Sequence, residues 1–192
     1  MRGEKLEVTE EQLLAEQLRH NERGAMRDFY TLYARRLSAV CSRYITNGED
    51  QKDVLQNALV SIFTHIQDFN YRGPGSLRAW ATRIIVNEAL AFLRQKHQQE
   101  WQELDDDIAE EPPADDPPLS DVPPEAVHRL IQQLPTGYRT VLNLYVFEDM
   151  SHQEIARLLG IRERSSASQL SRAKSLLGRM IKEYLTQNHH PR

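Results

Sequence analysis

Apolar residues recur along this chain at steps of three and four, and no stretch alternates apolar with polar residues convincingly, so the pattern predicts helices and no sheet. Leu13, Leu14 and Leu18 share one face of a first helix that Thr9 can cap, with Gln12 three places further on. After a break over 21–24, Met26, Phe29, Tyr33, Leu37, Val40 and Tyr44 mark a longer helix expected to end at Asn47-Gly48. A third begins near Glu49 or Asp50 and carries a broad stripe of Val54, Leu55, Ala58, Leu59, Ile62, Phe63 and Ile66, with Asp53, Gln56 and Asn57 on its exposed side. Gly73-Pro74-Gly75 then forces a loop, and Ser76 is placed to cap a fourth helix running to about Lys96. Its inward residues are read as Leu77, Ala81, Ile84 and Leu93, while Arg83, Asn87 and Arg94 share a different face.

Over about 98–124 the periodicity gives way to acidic residues and repeated Pro, which predicts an extended connector and not a packed core. The pattern resumes with Val127, Leu130, Ile131 and Leu134, stops at Pro135, and returns up to Phe147 and Met150, both expected to pack beneath the helical pair that begins at Ser151. The chain therefore reads as all-α, with helical domains at 1–97 and 123–192 joined by an acidic, Pro-rich linker at 98–122.

The stretch Ser151 to Lys174 has the grammar of a helix-turn-helix. Ser151 with Glu154 three places later forms a capping box, Ile155, Leu158 and Leu159 fall on one side, Ala156 permits a close crossing, and Gly160 permits a left-handed turn. The second helix turns Leu170, Ala173 and Leu177 inward with Ser166, and Arg164, Ser165, Ser168, Gln169 and Arg172 are read as pointing outward. Arg and Gln can read base edges bidentately while Ser and Lys suit phosphate oxygens, so this face fits a recognition helix in a major groove. Its bland alternative is an ordinary helical hairpin with a solvated polar face.

Charge sharpens that reading. The net charge of −4 conceals a segregation: eleven acidic residues and no Lys or Arg lie between Gln98 and Glu125, which leaves +7 on the rest of the chain and +5 after Glu125. A basic C-terminal module beside an acidic connector suits a polyanion, with the connector placed either to shield the basic faces or to lie in the basic channel of a partner. Cys41 is the only cysteine, which excludes an internal disulfide and reads as core. No apolar run is long enough to span a bilayer and the N-terminus lacks the apolar core of a secretory signal, so no membrane insertion and a cytoplasmic location are expected. His189-His190 reads as a frayed tail, not a metal site, and no metal-ligand spacing, Gly-rich phosphate loop or nucleophile signature appears. Catalysis, metals and cofactors are not expected.

Two blocks separated by the linker carry a family likeness over nearly the whole chain. DVLQNALVSIF, F-x-x-R-G-x-G-S-L-x-x-W and RIIVNEALAFLR resemble sigma domain two, and LPTGYRTVLNLYVFEDMSHQEIARLLGI followed by SASQLSRAK resembles sigma domain four, of the extracytoplasmic-function (ECF) group of bacterial sigma factors. The resemblance implies that domain two binds the beta-prime clamp helices of RNA polymerase core through Asp53, Gln56 and Asn57. It implies minus-ten recognition and opening by Phe69, Ser76, Trp80, Arg83 and Asn87, although Trp80 on its own reads first as a core anchor. It further implies that domain four touches the beta flap and reads the minus-thirty-five element of promoter DNA through Arg162, Arg164, Ser165, Ser168, Gln169, Arg172 and Lys174, with an anti-sigma factor as a further partner. Asn57 stands where the family commonly has an acid, Arg164 where Gly is frequent, Ser166 where an apolar residue is common and Ala167 where a basic one is. The main rival is a helix-turn-helix regulator with a sensing domain, but the first block supplies neither a phosphoacceptor pattern nor a ligand cavity motif.

Overall fold

The computed structural model describes residues 9–96 and 122–188, and among these all regular structure is helical. Among the described residues eight α-helices run in order: α1 (Glu10–Arg19), α2 (Ala25–Tyr44), α3 (Gly48–Thr64), α4 (Ser76–Lys96), α5 (Pro124–Gln132), α6 (Thr136–Val146), α7 (His152–Leu159) and α8 (Glu163–Asn188), with a 3-10 turn at Ile66–Asp68. The chain divides into two compact units, Met1–Ser42 with Asn47–Phe92 and Arg43–Thr46 with Leu93–Arg192. The connector expected at 98–122 and the His189-His190 tail lie outside the described residues, apart from Val122, which is buried.

In the first unit, Thr9 caps α1 by accepting from the Gln12 amide at 3.2 Å, as its sequence position implies. Asn47 does the same for α3, taking the amides of Glu49 at 2.9 Å and Asp50 at 3.1 Å. Phe29, Leu37 and Cys41 from α2, Ala58 and Ile62 from α3, and Leu77, Ala81 and Ile85 from α4 are sealed from solvent, and burial pushes the Cys41 thiol up to about 11. Several expectations change: Leu13, read on the apolar face of α1, is 49 % exposed, and α2 ends at Tyr44, short of the expected Asn47-Gly48. Met26 is half exposed, one turn before the buried Phe29. On α4 the sealed isoleucine is Ile85 and not Ile84, because Leu77, Ala81, Ile85 and Ala89 step by fours down one face and Ile84 falls to its side.

In the second unit α8 packs against α5, α6 and α7. Leu134, Val141, Leu144, Ile155, Ala173 and Ile181 form its core. Met150 is half-buried but Phe147 is 46 % exposed, so the packing expected of it beneath the hairpin does not occur. Arg139 is buried although charged; it donates to the carbonyls of Leu134 at 2.6 Å and Gln132 at 3.3 Å, tying α6 to the end of α5.

Candidate nucleic-acid and partner interfaces

Asp53, Gln56 and Asn57 are all exposed on α3, while Val54, Ala58 and Ile62 on its other side are buried. Beside Gln56 runs a groove of about 430 Å³ between α2 and α3, lined mainly by apolar side chains including Tyr30, Leu37, Leu55, Leu59, Val60 and Phe63. Tyr30 is 56 % and Val60 60 % exposed, so these two large apolar side chains stand at the groove edge with nothing over them among the described residues. The signal for the groove was the width of the α3 stripe: seven apolar residues exceed what one core-facing side of a helix needs.

The second surface lies where the loop after the 3-10 turn meets α4. A cleft of about 300 Å³ is lined by Asp68, Phe69, Asn70, Arg72, Ser76, Ala79, Trp80 and Arg83. Four residues expected at the minus-ten site thus meet in one place, while Asn87 sits exposed one turn along α4 from Arg83 and outside the lining. Phe69 is the correction: it is 3 % exposed and packs its ring against Trp80 at 5.3 Å between centroids, so it supports the cleft from below and Trp80, half-buried, presents the aromatic surface. Gly73 (φ 122°) and Gly75 (φ 87°) make the turn in backbone conformations that favour glycine. Ser76 does not cap α4 with its side chain; its hydroxyl accepts from the Arg72 amide at 3.2 Å. The amides at the start of α4 go instead to Glu11 of α1, whose carboxylate accepts from Gly75, from Leu77 at 3.0 Å and from Arg78 at 3.1 Å.

The third surface is the α7–α8 hairpin. The capping box is complete, with Ser151 Oγ accepting from the Glu154 amide and the Ser151 amide donating to Glu154 Oε2 at 2.8 Å. The Ser151 hydrogen bonds hold the Glu154 carboxyl below the usual range. Gly160 ends α7 at φ 72°, in the left-handed region. Arg162, just before α8, and Arg164 on it are exposed, and Ser168, Arg172 and Lys174 are half-buried. Ser165 and Gln169 are buried, at 9 % and 3 % exposure, contrary to the outward placement expected for them. They flank the inward line of Ser166, Leu170 and Ala173 on its near side, so the outer face is carried by Arg164, Ala167 and Ser168. Ser166 in the inward slot is satisfied by His152 Nδ1 at 3.0 Å, and the His152 ring stacks on Tyr145 at 4.8 Å. That pairing was not visible in the sequence, where Ser166 looked like a polar residue in an apolar place.

Two family models match these units in order: Sigma-70 region 2 over residues 29–99 and Sigma-70 region 4 over residues 125–177. The RNA polymerase sigma-H factor of Pseudomonas aeruginosa is 24% identical over 92% of this chain and 96% of its own length. The ECF RNA polymerase sigma factor SigM of Mycobacterium tuberculosis is 26% identical over 93% of this chain and 88% of its own. The chain belongs to the ECF group of sigma factors. A solved structure of the sigma factor RpoE in complex with the anti-sigma factor NepR from Bartonella quintana shares the fold, with a TM-score of 0.50 and 19% identity over 83% of this chain and 98% of that one.

A sigma factor acts in transcription initiation with core RNA polymerase and promoter DNA as its partners, and it is not itself an enzyme. Among the described residues this sigma factor has no grouping of three or more His, Cys, Asp or Glu that could hold a metal, and no helix long and apolar enough to cross a membrane. Asn70 and Arg72 line the cleft from within the loop 69–76 that the resemblance already placed near the minus-ten site, whereas the groove-edge Tyr30 and Val60, and Glu11, whose bonds reach far along the chain, were not singled out in the sequence.

Proposed function

We propose that the first unit carries both core-polymerase docking and minus-ten recognition, and that the second carries minus-thirty-five recognition. The observation that supports this best is the cleft beside α4. An unstacked base needs an aromatic or apolar face and its phosphates need cations. Trp80 supplies the first, and Arg72 and Arg83 the second, around one cavity. Asn87, exposed a turn beyond Arg83, contacts an adjoining base through its amide. Core polymerase docks on α3, where Asp53, Gln56 and Asn57 give polar specificity and the Tyr30–Val60 groove accepts an apolar helix face. Arg162, Arg164, Ser168, Arg172 and Lys174 read and position the minus-thirty-five duplex, with Ser165 and Gln169 bracing the helix from its flank. The site of action is the cytoplasm. By analogy with the relative solved with an anti-sigma factor, a protein inhibitor competing for these surfaces is a further partner.

Reconstitution with bacterial core polymerase on a randomised promoter library tests the reading. Enrichment of promoters with two short elements is expected. Asn87→Ala then impairs opening, followed by permanganate reactivity, more than it impairs core binding. Absence of promoter-directed transcription, or equal loss of opening and core binding in Asn87→Ala, overturns it.

A further inference from the structure

The cleft and its loop are held by a residue that lies outside them. Glu11, on the first turn of α1, accepts hydrogen bonds from three backbone amides at the start of α4: Gly75, Leu77 and Arg78. Its Oε1 also accepts from the Tyr33 hydroxyl of α2 at 3.3 Å. Burial, and then the negative charge of Glu11, push the Tyr33 phenol up to about 12, so it stays a protonated donor. A second tie runs alongside, because the Thr9 and Tyr71 hydroxyls are 2.6 Å apart and Tyr71 belongs to the same loop. Ser76, which lines the cleft, sits between the bonded Gly75 and Leu77.

A carboxylate at a helix N-terminus satisfies orphan amides and complements the positive end of the helix dipole. Here the carboxylate comes from another helix, so it also fixes the loop relative to α1. Gly73 and Gly75 leave that loop more backbone freedom than other residues would, and no side chain of the loop replaces the missing cap.

Resting on the minus-ten reading of the cleft, we propose that Glu11 is a positioning residue for minus-ten recognition: it sets the loop so that Ser76, Trp80 and Arg83 meet the base in one geometry. It does not touch DNA. Its effect is on how well the cleft discriminates, and not on core binding, whose proposed groove is lined from α2 and α3 alone.

The test uses full-length Glu11→Ala and Glu11→Gln in holoenzyme with wild-type core, on a promoter recovered from the library. Three quantities are read: affinity for core, thermal unfolding of the free chain, and the ratio of holoenzyme affinities for a single-stranded minus-ten oligonucleotide and its abasic counterpart. Glu11→Gln keeps the size and one acceptor oxygen, which guards against a folding failure in Glu11→Ala. Core affinity is expected to stay within about twofold, while the ratio falls roughly fivefold in Glu11→Ala, the lower end of one positioned base contact, and by less in Glu11→Gln. A template already melted over the minus-ten element should restore most of the lost initiation. An unchanged ratio in both variants overturns the proposal. So does a ratio that falls only in step with core affinity and melting temperature, since that is the mark of a purely structural residue. Arg83→Ala and Asn87→Ala serve as the reference. If these two leave the ratio unchanged, the minus-ten reading itself fails, whereas a ratio that responds to them and not to Glu11 sinks this inference alone.

Discussion

The hairpin of α7 and α8 and the loop that leads into α4 do the same mechanical job, aiming a polar helix outward, and they are held by opposite means. In the hairpin the holding groups are close in sequence: Ser151 with Glu154, the left-handed Gly160, and His152 with Ser166 only fourteen residues away. At the loop the holding group is Glu11, sixty-four residues before Gly75 and sixty-seven before Arg78. Closing a short segment costs less chain entropy than closing a long one, though the cost grows only logarithmically, so the hairpin can set its own geometry while the loop inherits its geometry from the first unit as a whole. A locally closed device suits a rigid duplex reader. A remotely closed one suits the role proposed for the cleft, accepting a base only after the duplex opens.

Core truncation should fail to distinguish the two regions, and it carries the largest expected effect. Leu77 and Ile155 are both sealed from solvent, each within the helix that leaves its turn or opens its hairpin. Leu77→Ala and Ile155→Ala should each lower stability by about 2 to 5 kcal/mol, read as a shift in urea midpoint without a change in slope. A cost under about 1 kcal/mol at either site would mean that its region is loosely packed, and the contrast between the regions would then lie in packing instead of in the holding groups.

Glycine substitution should separate them. A Cβ on Gly160 would meet nothing within 4 Å, so Gly160→Ala should register only left-handed backbone strain, about 1 to 2 kcal/mol. Gly75 also has positive φ, and a Cβ there would lie 3.4 Å from the Arg78 guanidinium, in ordinary contact. Gly75→Ala should cost at least as much and should in addition reduce minus-ten discrimination, because the Gly75 amide is one of those that Glu11 holds. Gly160→Ala should leave that discrimination alone and weaken duplex binding. Equal functional profiles for the two variants would erase the distinction between local and remote closure.

This contrast also explains why some features were legible in the sequence and others were not. The capping box, the Gly160 turn, the inward positions of α8 and the Thr9 cap follow rules that act within one helical turn, so they could be read directly, whereas Asn47, read as the end of α2, caps the start of α3. The cleft was legible as a group of residues but not as a geometry: Phe69 lies under Trp80, and Ser76 gives up the cap to Glu11, through packing and bonds between distant segments. Ser165 and Gln169 fell on the wrong side of the boundary because polar identity suggested solvent, while their position beside Ser166 and Leu170 placed them in the interior. The groove at Tyr30 and Val60 showed only as an over-wide stripe, since which apolar residues remain uncovered depends on how α2 meets α3.

Acid should weaken the second unit through the pairing that holds its hairpin. Burial lowers the pKa of His152 from 6.5, with Glu163 opposing and Lys174 reinforcing the shift, and burial likewise lowers that of His128. Both shifts favour the neutral ring in the folded chain, so the unfolded chain binds protons first as the pH drops. The stability these rings contribute is therefore present above about pH 6.5, the unfolded value, and is lost as the pH falls through the lower folded values. Thermal unfolding tracked from neutral to mildly acidic pH, across that unfolded value, should show a falling midpoint, and His152→Gln should flatten the slope, leaving the share due to His128. A midpoint that rises on acidification would mean that the imidazolium is the favoured form and that the Ser166 contact works in the opposite sense.

The smallest effect is expected from the ion pair of Lys52 with Glu49 on α3, 2.8 Å apart and one turn from each other. Like the capping box it joins residues close in sequence, yet closeness in sequence does not imply stabilisation. Both side chains are more than 70 % exposed, so water screens their attraction and each loses rotamer freedom to hold the geometry. Lys52→Gln should therefore change stability by less than about 0.5 kcal/mol, and adding salt should change wild type and variant alike. Lys52 also lines the groove proposed for core polymerase, so an altered association rate with core alongside unaltered stability would assign the lysine to docking and not to the fold. A loss above about 1 kcal/mol would instead show that short-range surface pairs support α3 as the capping box supports α7, and the line drawn between the two units would have to be redrawn around the exposure of the groups and not their spacing.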